Sequence, residues 1–282
     1  MTSENGHPDP EQSFEQLGGR KIQFPRHSRK DLCTGALYRY LRRHFLIFDF
    51  FFFGIHLATA QDSMGFTAAK ALAENGSEAD QARLERWEAN KQPTFKKLQS
   101  FGEFQSENIC IRSVDNFLAY ISETIQMCMK SRPEMLRSRE MISIEDVLRF
   151  GEYDSLIEFL VERKINELSY GGIREVNSFL TDRTGINLWS SDEERSLLGI
   201  SVELRNLYTH NRGVVNDTFL RKTKGASHSY QFIRGKRFHA DFDEIVTLTN
   251  NMFTISVRLD CEVSNKYDLP RREYESWGGL DV

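Results

Sequence analysis

Apolar residues recur along most of the chain at steps of three and four, the spacing that places them on one face of an α-helix. The cleanest run is Ile111, Val114, Leu118, Ile121, Ile125 and Cys128, closed by Pro133, and it predicts a long amphipathic helix. An apolar helical pattern also covers residues 32 to 73, and Glu74-Asn75-Gly76-Ser77-Glu78 then breaks it before a charged helix from Ala79 to Asn90. Ser143-Ile144-Glu145-Asp146 reads as the start of one further helix, with Leu156, Ile157, Leu160, Val161, Ile165 and Leu168 lining a face until Gly171-Gly172 stops it. A shorter helix follows from Ile173 to near Gly185. Ser191-Asp192-Glu193-Glu194 fits a capping box, from which Leu197, Ile200, Leu204 and Leu207 run as a stripe to Gly213. Ser229 to Phe238 predicts a small β-hairpin, and Asp241-Phe242-Asp243-Glu244 opens a last helix carrying Phe242, Ile245, Leu248, Met252, Ile255 and Leu259 on one side. The expected fold class is all-α with at most one minor hairpin.

Composition adds boundaries to this pattern. Residues 1–30 are polar, rich in Gly, Pro, Ser and charge, and lack the apolar stretch of a secretory signal, so the expected location is cytoplasmic. Residues 31–104 read as a helical extension and 266–282 as a C-terminal tail. The run from Phe45 to His56 is the one segment resembling a membrane span. Asp49 and His56 interrupt it, and it falls short of the roughly 20 apolar residues a span requires. It is expected to be a buried helix or a partner-facing surface, without membrane. Cys33, Cys110, Cys128 and Cys261 are widely spread with no metal-ligand or redox spacing, and are expected to be buried thiols. No internal repeat or phosphate-binding glycine loop is present, and no cofactor or metal is implied.

Candidate chemistry concentrates at Arg205, Asn206 and His210. At about 100° per residue, Asn206 and His210 share a helical face while Arg205 lies about 140° from His210 and converges through its long side chain. Histidine moves protons near neutral pH, and arginine offers a permanently charged fork for phosphate oxygens. RNA carries its own nucleophile in the 2′-OH, so these residue types suffice for cleavage without a metal. One motif histidine per chain leaves the acid or the base missing, and a symmetric dimer would supply it. The alternative is a surface ion pair, or cations placed to oppose the dipole at the helix C-terminus.

The overall charge of −4 carries no nucleic-acid signature, but residues 203 to 239 hold eight basic residues against two acids, a local balance of +6. Arg212, Arg221, Lys222, Lys224, Arg234, Lys236 and Arg237 are therefore candidate RNA contacts, with solvated loop charge as the competing explanation. Glu203 is a candidate to orient Arg205, and Tyr208 to pack or to stack on a base. Trp189 and Trp277 are candidate anchors. His228 and His239 lack acidic partners at metal spacing.

The stretch Glu203-Leu204-Arg205-Asn206-Leu207-Tyr208-Thr209-His210-Asn211-Arg212-Gly213-Val214-Val215-Asn216 resembles the Arg-x4-6-His signature of the HEPN superfamily. The resemblance covers about residues 105–265. It implies a helical bundle that dimerises through the motif helices and acts as a metal-independent endoribonuclease, with Arg205, His210 and Asn206 at the signature positions. Many relatives of that kind are toxins of toxin-antitoxin pairs or antiviral effectors, which implies an antitoxin or regulatory partner. Others bind RNA or nucleotide without cutting, so a non-catalytic RNA- or protein-binding dimer is the alternative reading.

Overall fold

Thr34 opens the helical part of the chain, its side-chain oxygen accepting the Leu37 amide at 3.2 Å in a standard N-cap. The computed structural model describes residues 25–138, 141–226 and 230–277. In order, these form α1 (Gly35–Ala73), α2 (Glu78–Ala89), α3 (Pro93–Gln99), α4 (Gly102–Ser131), α5 (Ile144–Arg149), α6 (Tyr153–Gly171), α7 (Ile173–Thr184), α8 (Asp192–Asn211), α9 (Asp217–Thr223) and α10 (Phe242–Tyr267). The fold is all-α. Among the described residues one two-stranded antiparallel sheet joins β1 (Leu32–Cys33) to β2 (Arg272–Glu273), pairing Leu32 with Glu273 and Cys33 with Arg272.

Helix α4 is the centre, packing against α1, α6, α8 and α10. Val114, Phe117, Ile121, Ile125 and Met129 of α4 are fully buried with Leu37 and Leu41 of α1, Leu180 of α7 and Ile255 and Leu259 of α10. Each such side chain contributes roughly 1.5–3 kcal/mol by leaving water. A second cluster gathers Phe48 of α1, Ile109 and Cys110 of α4, Ile200, Leu204, Leu207 and Tyr208 of α8, Phe219 of α9, and Ile245 and Leu248 of α10. This cluster holds the C-terminal half of α8, where the Arg-His motif lies.

Buried polar groups tie the helices in register. Asn116 Nδ2 donates to the Tyr40 carbonyl of α1 at 2.9 Å, and the Tyr120 hydroxyl donates to the Ser256 carbonyl of α10 at 2.8 Å. Asp260 accepts both the amide and the hydroxyl of Thr34, closing the start of α1 onto α10. Burial raises the Asp260 carboxyl above its usual range, and the Thr34 bonds oppose that rise.

Several expectations change. The stretch from Ser143 to Gly171 is two helices, because Phe150, Gly151 and Glu152 leave the helix and glycine is a poor helix former. Helix α4 begins at Gly102, well before the apolar run at Ile111. Residues 230–238 form no hairpin; Ser229 lies outside the described residues. Arg237 instead bridges antiparallel to Val214, so the minor β structure is built from distant segments. Cys33, Cys110 and Cys128 are buried free thiols, each pushed up to about 12 by burial, whereas Cys261 is exposed on α10. Residues 1–24 of the polar start and 278–282 of the tail lie outside the described residues. The rest of the tail is structured, with Trp277 stacked on Tyr38 at 5.8 Å between ring centroids.

Helix α1 is two-faced. Phe48, Ala58, Asp62 and Ala69 turn inward and Phe51 stacks on Phe242 at 4.7 Å, while Leu46, Phe50, Phe53, Leu57 and Met64 are exposed. Asp62 accepts the amides of Thr94 and Phe95, capping α3 from the side of α1. The phenylalanine run is thus only partly buried. By length and composition α1 is apolar enough to cross a membrane, and little of that window is buried inside the protein.

Two outcomes are expected. Asp260→Ala strands the Thr34 amide and should cost about 1–3 kcal/mol in urea unfolding. His44 sits among Tyr40, Phe45, Phe48 and Phe253, and burial lowers its pKa from 6.5 to about 4. Its folded pKa lies below its unfolded one, so stability is present above about pH 6.5 and is lost as pH falls towards about 4, by roughly 3 kcal/mol. The difference between wild type and His44→Phe across that range checks this: a constant difference would refute it.

Candidate active site

Helix α8 starts at Ser191, whose Oγ accepts the Glu194 amide at 3.1 Å. Glu194 reaches back to the Ser190 amide at 2.7 Å, one residue earlier than a capping box would place it. Leu198, Ile200, Leu204 and Leu207 anchor the inner face. Arg205 emerges at the edge of that face, towards α4.

There its guanidinium is held from two sides. Nε donates to Asp115 Oδ1 of α4 at 2.8 Å, Nη2 lies 2.8 Å from the same oxygen, and Nη1 donates to Asn206 Oδ1 at 3.2 Å. A guanidinium has five N–H groups in a fixed fork, so this arrangement leaves donors on both terminal nitrogens. The Arg205 side chain remains 28% exposed, enough for a ligand to reach them. Asn206 therefore orients the arginine. His210, about 140° beyond one full turn from Arg205, is exposed, and its imidazole has no hydrogen-bond partner among the described residues.

Beyond His210 the motif residues fix the end of the helix. Arg212 takes the left-handed conformation with φ 51°, and Gly213 follows with φ 77°. The Gly213 amide donates to Leu207 O, and the Asn211 amide group donates to Val214 O. Val215 donates to Lys236 O at 2.9 Å and accepts from Gly235 at 2.8 Å, while Asn216 caps α9 by accepting the Phe219 amide at 2.8 Å. Gly213 and Val215 through their own backbone groups, and Asn211 and Asn216 through their side-chain amides, thus fix the backbone of the turn that follows His210.

The basic cluster is more neutral than its local sequence predicts. Lys222 pairs with Glu203 at 3.0 Å, Arg234 with Asp217 at 2.7 Å and Arg237 with Glu107 at 2.7 Å. The two α4 carboxylates, Asp115 and Glu107, lie far outside the 203–239 window, and they lower its balance from +6. Arg212, Arg221, Lys224 and Lys236 are exposed without a carboxylate partner among the described residues. Glu203 serves Lys222 and does not orient Arg205.

Tyr208 is buried and its hydroxyl accepts the Ala240 amide at 3.1 Å, which makes it a packing residue; burial raises its phenol. Trp189 packs partly buried on the main core. His239 gains two acidic neighbours that spacing did not predict: Nε2 lies 3.2 Å from Glu103 and Nδ1 3.1 Å from Glu107, the latter without hydrogen-bond alignment. Among the described residues no group of three or more His, Cys, Asp or Glu is placed to hold a metal ion. His228 lies outside the described residues.

Asp115 is the residue sequence reasoning missed. Its signal was a carboxylate next to Val114 in the apolar run of α4, 90 residues from the arginine it serves. Comparison with family models, with curated proteins and with solved structures finds no match, so the reading of this site rests on its own residues.

Because Gly213 is left-handed and a Cβ there would sit 3.2 Å from Arg237 Cγ, Gly213→Ala should destabilise the end of α8 by about 1–2 kcal/mol. Urea unfolding measures this, and amide exchange should show faster opening at residues 207–216; unchanged values in both would contradict the structural role.

Proposed function

We propose that this protein is a cytoplasmic, homodimeric, metal-independent endoribonuclease of HEPN type, serving as a toxin or antiviral effector under an antitoxin or regulatory partner. The observation that carries the reading is the guanidinium of Arg205, held by Asp115 and Asn206 with donors to spare, on the same helix end as the exposed His210. A cation fixed before the substrate arrives suits the charge that develops on phosphorus, because no reorganisation is needed at the moment of reaction.

In this mechanism a histidine removes the proton of the 2′-OH, O2′ bonds to phosphorus, and the P–O5′ bond breaks. The second histidine protonates O5′, leaving a 2′,3′-cyclic phosphate and a 5′-OH. Arg205 neutralises the equatorial oxygens of the phosphorane. One His210 from each of two chains supplies base and acid, and the half-exposed α8 face carrying Gly199, Val202 and Asn206 suits contact between the two motif helices.

A second reading, a non-catalytic RNA- or protein-binding dimer, draws support from the exposed Leu46, Phe50, Phe53 and Leu57, since contiguous apolar surface of this kind marks interaction sites. Cleavage of labelled RNA in excess EDTA separates the two. The ribonuclease reading expects His210→Ala and Arg205→Ala each to lower the rate at least about a hundredfold with the fold retained. Asp115→Asn, which loosens Arg205 without removing it, should lower it less. Retained cleavage in His210→Ala sinks the assignment; intact RNA with wild-type protein, together with tight RNA binding, favours the binding dimer.

A further inference from the structure

A groove of about 530 Å³ runs between α1 and α4, and it adjoins the motif through a shared residue: Asp115, which holds Arg205, is part of its wall. Four arginines line it, Arg39, Arg42 and Arg43 from α1 and Arg112 from α4. Its two carboxylates are already engaged, Asp115 by Arg205 and Glu123 by Arg39 at 3.0 Å. Arg42, Arg43 and Arg112 are exposed and have no carboxylate partner among the described residues. On a chain with a net charge of −4, this is a local reversal of sign.

We infer that this groove binds the phosphate backbone of single-stranded RNA and leads it to Arg205; the inference rests on the ribonuclease reading. Three features support an RNA strand as the occupant. The free cations are all arginines, whose planar forks match pairs of phosphate oxygens. They stand on two helices along an open groove, Arg42 and Arg43 on α1 and Arg112 on α4, so they offer several contacts to an extended polyanion. The groove wall also includes Asp115, the residue that holds Arg205. In the 203–239 segment Lys222, Arg234 and Arg237 already hold carboxylates, and none of its free cations lines this groove.

The test is fluorescence anisotropy of a short labelled single-stranded RNA in EDTA across a salt series, with His210→Ala as the parent to prevent cleavage. Adding Arg42→Ala and Arg112→Ala together should weaken binding at least about tenfold and lower the slope of log affinity on log salt by about 1.4, since each phosphate contact on a single strand contributes about 0.7. Arg42→Lys with Arg112→Lys should keep most of the slope, and Arg43→Glu alone should weaken binding. All three positions are at the surface, and circular dichroism confirms the fold of each variant. Unchanged affinity and slope in the alanine pair and in Arg43→Glu, in a protein whose wild type cuts RNA in EDTA, overturn the groove and leave the ribonuclease standing. Wild-type protein that neither binds nor cuts the RNA overturns both.

Discussion

Less than two turns of α4 set the register of the helices around it. Asp115 reaches across to Arg205 on α8, Asn116 to the Tyr40 carbonyl on α1, and Tyr120 to the Ser256 carbonyl on α10. Hydrophobic packing around Val114, Phe117 and Ile121 provides most of the stabilisation, but it is non-directional and tolerates small slips. The polar contacts are directional and partly or wholly buried, so a slip in register leaves a group unsatisfied. The position of α8 relative to α4, and with it the aim of the Arg205 guanidinium, follows from that register.

The same geometry explains why the motif sits where it does. Helix α8 buries Leu204 and Leu207 on one side and presents Asn206 and His210 on the other, with Arg205 at the seam. Its last turn stops at a left-handed Arg212 and a left-handed Gly213, and the chain then pairs with residues 235–238 before α9 starts at an asparagine cap. The residues after His210 serve the backbone, so the motif combines a polar pair with the turn that presents it.

Much of this was legible in the sequence, where local rules decide the outcome. The stripes of α4, α6, α8 and α10, the caps at Ser191 and Asp241 and the stop at Gly185 all follow from periodicity and cap chemistry. What failed was non-local. Glu203 turned to Lys222 across the α8–α9 turn, Arg237 and His239 met Glu107 of α4, and the aromatic segment at 230–238 paired with the motif turn rather than with itself. Spacing along the chain carries no information about such partners. The phenylalanine run shows a further limit: its apolar character was plain, yet only packing determines that Phe48 turns inward and Phe50 and Phe53 face out. A run that is apolar on every side gives no period from which to choose a face.

The central claim is that Arg205 and His210 act together on a phosphate whose nucleophile is the neighbouring 2′-OH. Analysis of the ends produced from labelled RNA in excess EDTA, beside the same RNA with a single 2′-deoxy substitution at the cleaved nucleotide, tests it most directly. The account predicts 2′,3′-cyclic phosphate and 5′-OH ends from the natural RNA and none at the substituted position. Products ending in 5′-phosphate, or cleavage that continues through the 2′-deoxy nucleotide, would contradict it.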